Sequence, residues 1–177
     1  AAMVADIRTY LSGLLGTTPD VPLRVVAVRR GAGFSAGGTI LLDESVFRRS
    51  KLDSLTVTTI AEAVAKIWFG GSVRVDGDGN GVIREGLPRF LAAQFLESKF
   101  GAEIADLERT RQRTAYAAVV KRDAPLATVS PLDDYYFTTN ANKGAMVWRL
   151  LHKKIGQSDF FNVVKDGLKD GVLDLAE

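Results

Sequence analysis

The stretch from Leu55 to Phe100 constrains this chain most: a helical pattern running into Trp68-Phe69-Gly70, a short glycine-rich connection, and a second helical pattern opening with Arg84-Glu85-Gly86. Val57, Ile60/Ala61, Val64 and Trp68 recur at the spacing of one helical face, which predicts a helix over Leu55 to Phe69. Glu62 and Lys66 fall on an adjacent face, four residues apart with the acid first, the favourable order for an ion pair within one helix. The second helix, Arg84 to Phe100, carries Leu87, Phe90/Leu91, Gln94/Phe95 and Ser98 as a mostly apolar stripe. Pro88 is compatible with a start near Arg84 or Glu85, because first-turn amides have no intrahelical partner.

These residues resemble the catalytic domain of the gluzincin zinc aminopeptidases, the aminopeptidase N family. There one helix carries HExxH, then a glutamine and Trp-Phe-Gly; the third zinc ligand is a glutamate separated from the second histidine by eighteen residues and followed by glycine. With Trp68-Phe69-Gly70 as the anchor, the resemblance puts Glu62 and Lys66 at the two histidine positions and Ala63 at the general-base glutamate. Glu85, followed by Gly86, then falls at the third ligand with the same spacing. It also implies that Glu85 faces the first helix, so that Lys66 lies between two carboxylates and its ammonium takes over part of the metal's charge-balancing role. The alternative for Glu62 and Lys66 is an ordinary surface ion pair.

Elsewhere the chain follows the same order. Val4, Ile7, Leu11 and Leu14/Leu15 mark a packing helix from Met3 to Leu15, closed by Gly16. Leu23 to Arg29 is a valine-rich strand bounded by proline and glycine, Gly31 to Gly38 a glycine-rich loop, and Thr39-Ile40-Leu41-Leu42 a second strand. If Gly38-Thr39-Ile40 correspond to the residues after the family's Gly-Ala-Met-Glu-Asn motif, Ser35 stands where a glutamate binds the substrate's free amino group. Downstream, Ala141-Asn142-Lys143-Gly144-Ala145 resembles the family's Tyr-x-Lys-Gly-Ala segment and places Ala141 at the tyrosine that donates to the tetrahedral oxyanion. Tyr136, five residues earlier, can approach the cleft but is assigned no catalytic role.

Asp76-Gly77-Asp78-Gly79-Asn80-Gly81-Val82-Ile83 departs from the family pattern. It reads either as a tight turn or as a weak calcium site on Asp76, Asp78 and Asn80, since it matches the first eight positions of an EF-hand loop. The match breaks at the twelfth position, Leu87, and the preceding Ser72 to Val75 reads as a strand.

From Ala102 to Arg122 another helix is expected, with Ile104, Leu107, Ala115 and Ala118/Val119 inward and Arg109, Arg111 and Arg113 on a solvated face. Asp123 to Thr139 reads as a long loop. A helix follows through Met146, Val147, Leu150 and Leu151 to Gly156, with His152 among basic residues at its carboxyl end. The last helix has Ser158 or Asp159 as cap and Phe160, Phe161, Val164 and Leu168 as its core face.

Composition narrows the chemistry. The chain has 177 residues, 46% of them hydrophobic, which suits one domain: a mostly helical α+β, thermolysin-like peptidase domain with a small β-containing part over 1–50 and a helical part over 51–177. Lys+Arg 23 against Asp+Glu 21 leaves +2 with no long run of one sign, so no nucleic-acid surface is expected. The absence of cysteine excludes disulfides, thiolate metal sites and a cysteine nucleophile, and a lone histidine, His152, excludes a site built on two. No apolar run reaches the roughly 18 residues of a membrane helix and no signal peptide is read at the amino end, which leaves the compartment open.

The expected function is a non-catalytic relative of the zinc metallopeptidases, a scaffold or peptide-binding domain cut from a longer protein. Two alternatives stay open: a hydrolase or hard-metal site on Glu62 and Glu85, and a calcium-regulated interaction domain around Asp76 to Asn80. No zinc is expected, because two of three ligand positions, the base and the tyrosine are all substituted.

Overall fold

The structure, a computed structural model, describes residues 2–29 and 32–175 and is mostly helical with two small sheets. Helix α1 (Ala2–Leu15) buries Val4, Ile7, Leu11 and Leu15, the expected stripe. Strand β1 (Arg24–Val28) pairs in parallel with β3 (Thr39–Asp43), and β2 (Ala32–Ala36) pairs antiparallel with β3 on its other edge, in the order β1-β3-β2. The expected loop from Gly31 to Gly38 is thus a strand and a turn, Gly31 itself lying outside the described residues. Gly37 and Gly38 both take positive φ, 53° and 77°, which makes the two-residue hairpin turn that antiparallel pairing needs.

Helix α2 (Glu44–Phe47) leads to α3 (Ser54–Ala65), whose first turn is capped by the Asp53 carboxylate accepting from the Thr56 amide at 2.8 Å. Helix α3 buries Val57, Ile60, Ala61 and Val64 as expected, but it stops at Ala65. The amides of Ile67 and Trp68 donate three residues back, to Val64 and Ala65, and Ser72 donates to the Ile67 carbonyl, so the chain reverses tightly through Gly70 and Gly71. Trp68 and Phe69 are therefore core residues of a turn, not of a helical face, and the Trp68 indole donates to the Thr17 carbonyl at 3.1 Å.

After β4 (Arg74–Asp76) the backbone turns helical at Asn80, earlier than the expected start at Arg84 or Glu85. Val82–Gly86 is a π-turn, in which the Leu87 amide donates to the Val82 carbonyl, and it continues directly into α4 (Leu87–Phe100). The wider turn accommodates Pro88 inside a continuous helical run, since the proline ring and its missing N–H are tolerated where the ordinary ladder is already interrupted. Helix α4 packs along α3 and buries Leu87, Phe90, Leu91, Phe95 and Leu96 between α1, α3 and α5. Gly101 ends it as expected.

Helix α5 (Ala102–Ala117) corrects a second expectation. Its inward residues are Ala105, Glu108, Arg109 and Gln112, whereas Leu107, Ala115 and Ala118 are exposed. Arg109 is not solvated: it is 8% exposed, pairs with Glu97, and reaches Asp106 at 2.8 Å. A guanidinium with two carboxylates on hand can be buried where a leucine lacking an apolar partner is left out.

Within the expected loop, the backbone is helical again from Tyr136, and Thr138–Lys143 forms a second π-turn that runs into α6 (Gly144–Ile155). The two π-turns abut. A Cβ on Gly86 would lie 2.8 Å from the Asn140 carbonyl and 2.9 Å from the Gly144 Cα, so glycine is required for that approach. Trp148 on α6 donates to the Val82 carbonyl at 2.9 Å and fixes the same contact from outside. Helix α7 (Gln157–Asp170) buries Phe160, Phe161, Val164 and Leu168 as expected. Its N-cap is Gly156, with Ser158 and Asp159 inside the first turn rather than capping it. Strand β5 (Val172–Asp174) then pairs in parallel with β4.

His152 stands edge-on among Phe90, Phe160 and Phe161, at 5.5, 5.3 and 5.8 Å between ring centroids. Burial holds its pKa below the ordinary 6.5, against a smaller opposing pull from Glu97. The unfolded chain therefore takes up the proton first: the contribution of the neutral ring is complete above 6.5 and fades as pH falls below it. Urea midpoints are expected to decline from about pH 7 to about pH 5, and His152→Phe should flatten that part of the profile. Gly86→Ala is expected to cost about 2 kcal/mol by overpacking, measured by urea unfolding. Gly13→Ala, with nothing within 4 Å of the new methyl in helix α1, should stabilise by about 0.5 kcal/mol.

Candidate functional site

A cleft opens where the end of α3, the two π-turns and the β2–β3 hairpin meet. It has two adjoining pockets that share Lys66 and Glu85. The first, of about 340 Å³, is lined by Glu62, Lys66, Glu85, Arg89, Ala141 and Asn142 among others. The second, of about 230 Å³, reaches Ser35, Gly38, Gly70 and Arg84. Five of the residues singled out from the sequence, Ser35, Glu62, Lys66, Glu85 and Ala141, are therefore brought to one cleft although up to 106 positions separate them.

The charges pair differently from the sequence reading. Lys66 Nζ donates to Glu85 Oε2 at 2.6 Å, across from α3 to the first π-turn. Glu62 is held instead by Arg89 of α4, which grips its carboxylate with two parallel bonds, Nε to Oε1 at 2.6 Å and Nη2 to Oε2 at 3.0 Å. The remaining Nη1 of Arg89 donates to Asn142 Oδ1 in the second π-turn. Lys66 thus does not sit between two carboxylates, and no ion pair forms within α3 between Glu62 and Lys66 among the described residues. Lys66, at the C-cap position of α3, finds its carboxylate on the adjoining π-turn. A guanidinium on the facing helix then meets Glu62 with the fork geometry that suits a carboxylate.

Both pairs are largely withdrawn from water, the side chains being 15% exposed for each carboxylate, 27% for Lys66 and 26% for Arg89. Burial works against the charge of Arg89, but the carboxylates of Glu62, Glu108 and Glu85 outweigh it and raise the pKa. Tyr136 lies near enough to matter. Burial raises its hydroxyl pKa, the negative charge of Glu85 adds to that, and Arg84 opposes it.

Ala63, which the resemblance aligns with the general base, is buried, 1% exposed, and lines neither pocket. Arg89 and Asn142 were not singled out from the sequence. Arg89 follows Glu85 by four residues, so a helix that turns Glu85 to the cleft brings Arg89 to the same side, a signal available in the spacing alone. Asp76, Asp78 and Asn80 line neither pocket. Asp76 pairs with Arg74 at 2.6 Å and the Asn80 amide donates to the Gly77 carbonyl at 3.0 Å, a tight turn closed on itself. Among the described residues no group of three or more His, Cys, Asp or Glu could hold a metal ion, and no helix is long and apolar enough to cross a membrane.

No protein-family profile matches the chain. It is similar to the aminopeptidase-like protein AC3.5 of Caenorhabditis elegans, with 26% identity over 160 residues, 81% of this chain and 14% of that protein. Its fold matches the M1 zinc metallopeptidase of Deinococcus radiodurans at a TM-score of 0.66, with 19% identity over 97% of this chain. A glutamate-to-alanine mutant of that enzyme, bound to a Tyr-Ser-Ala substrate, matches at 0.69, with 18% identity over 96% of this chain. The chain spans 36% of each of those solved structures. It thus has the mostly helical α+β fold of an M1 metallopeptidase and an aminopeptidase-like relationship to that group.

Removing one member of a withdrawn ion pair leaves the other charge stranded. Arg89→Met is expected to destabilise by about 3 kcal/mol, and Glu62→Gln combined with Arg89→Met to recover part of the loss, in a double-mutant cycle read by urea unfolding.

Proposed function

We propose that this domain is a non-catalytic relative of the zinc metallopeptidases that uses its cleft to bind a peptide or a segment of a partner protein, as one part of a longer chain. The observation that carries the reading is the pair of cross-links Glu62–Arg89 and Lys66–Glu85. A peptidase zinc site needs neutral or anionic donors converging on one point, with an open position for water. Here each carboxylate is already committed to a cation on a neighbouring element, and Lys66 itself is a cation, so this donor set does not fit a zinc ion. The general acid–base and oxyanion roles have no group either, with methyl side chains at Ala63 and Ala141.

What remains is a concave, polar, partly enclosed surface whose walls are held by side-chain cross-links rather than by a metal. Such a surface can bind without turning over. Elemental analysis of the protein after zinc loading and dialysis is expected to find far less than one zinc per chain, alongside no hydrolysis of aminoacyl p-nitroanilides. One retained zinc per chain, or turnover abolished by a chelator, overturns the reading.

A further inference from the structure

The pocket beside the β2–β3 hairpin has an unbalanced charge. Lys66 and Glu85 neutralise one another at 2.6 Å, which leaves the guanidinium of Arg84 as the remaining charge among the lining residues. Arg84 makes no ion pair among the described residues, and its one hydrogen bond there runs from Nη2 to the Val75 carbonyl at 3.1 Å. The other donors of its fork are free for a ligand. Ser35 lines the same pocket, and its hydroxyl is withdrawn from solvent and has no hydrogen-bond partner. A buried hydroxyl without a partner costs free energy that a bound acceptor would return.

We propose that this pocket anchors a carboxylate carried by the peptide that the cleft binds, with Arg84 as the charged partner and Ser35 as a second donor. The inference rests on the peptide-binding reading above and adds the polarity of the ligand. The resemblance to the aminopeptidases implies an acid at the Ser35 position, which would hold a substrate's amino group. With serine there and an arginine without an ion-pair partner in the same pocket, the end of the ligand that is recognised is negative rather than positive. A pocket of about 230 Å³ has room for a terminal residue or an acidic side chain, the two sources from which a peptide carboxylate can come.

The test measures binding of three probes by calorimetry: N-acetyl-Ala-Ala-Ala as the free acid, the same tripeptide as its amide, and N-acetyl-Ala-Glu-Ala amide. A charge-assisted pair predicts that the free acid binds at least about tenfold more tightly than the neutral amide. Arg84→Gln should erase that preference, and Ser35→Ala should reduce it. An advantage confined to the free acid identifies the C-terminus as the source, and one confined to the glutamyl peptide identifies the side chain. Equal binding of all three overturns the anchor and leaves the peptide-binding reading standing; binding of none overturns both. If Arg84→Gln fails to fold, the wild-type protein decides: an anchor on an exposed arginine loses its preference as ionic strength rises, and a preference indifferent to salt overturns the assignment.

Discussion

The two cross-links between α3 and its neighbours are the constraint on which this region depends. Four charges lie close together and largely out of water, and each is tolerable only because an opposite charge touches it. That requirement couples several elements at once. Lys66 must stand at the C-cap of α3, Glu85 must project from a turn wider than an α-helix, and Arg89 must come from one turn further along the same run. The third arm of Arg89, on Asn142, adds the segment that precedes α6. One guanidinium therefore joins three segments that are distant in sequence.

The paired π-turns show how backbone geometry serves that arrangement. Val82–Gly86 and Thr138–Lys143 each break the ordinary helical ladder just before a long helix, and they meet at Gly86 and Gly144, where neither has a side chain to keep them apart. Along the same run Glu85 and Arg89 face the cleft, whereas Val82, Ile83 and Leu87 are buried in the core.

Charge also decides what α5 buries. Its inward face holds Glu108, Arg109 and Gln112, packed beside α4 through partners such as Glu97 and Asp106, and Leu107 is left 58% exposed. Val147, Leu150 and Leu151 of α6 are exposed as well. Hydrophobic residues in these helices thus do not all mark the core, and the charged ones do not all mark the surface.

Much of the fold was legible in the sequence because local patterns carry it. Apolar periodicity located α1, the body of α3 and α4, and the Phe160 to Leu168 face of α7; a valine-rich run between proline and glycine located β1, and the short apolar run Thr39 to Leu42 located β3. The spacing from Trp68-Phe69-Gly70 to Glu85-Gly86 pointed to the fold, and with it to residues that share the cleft. Other features depended on contacts between distant segments. Strand β2 exists because β3 offers it an edge, and β5 because β4 does. Glu62 could have paired with Lys66 on its own helix or with a cation from elsewhere; the arrival of Arg89 from α4 beside Glu62, and of Glu85 beside Lys66, decided between them. The sequence by itself determined which residue types stand at the positions that the resemblance assigns to the site, and hence which donors are present to act there, because composition is independent of conformation. Only the tertiary structure decided which charges meet, because an ion pair is set by distance and desolvation, and both exist only once the helices have packed.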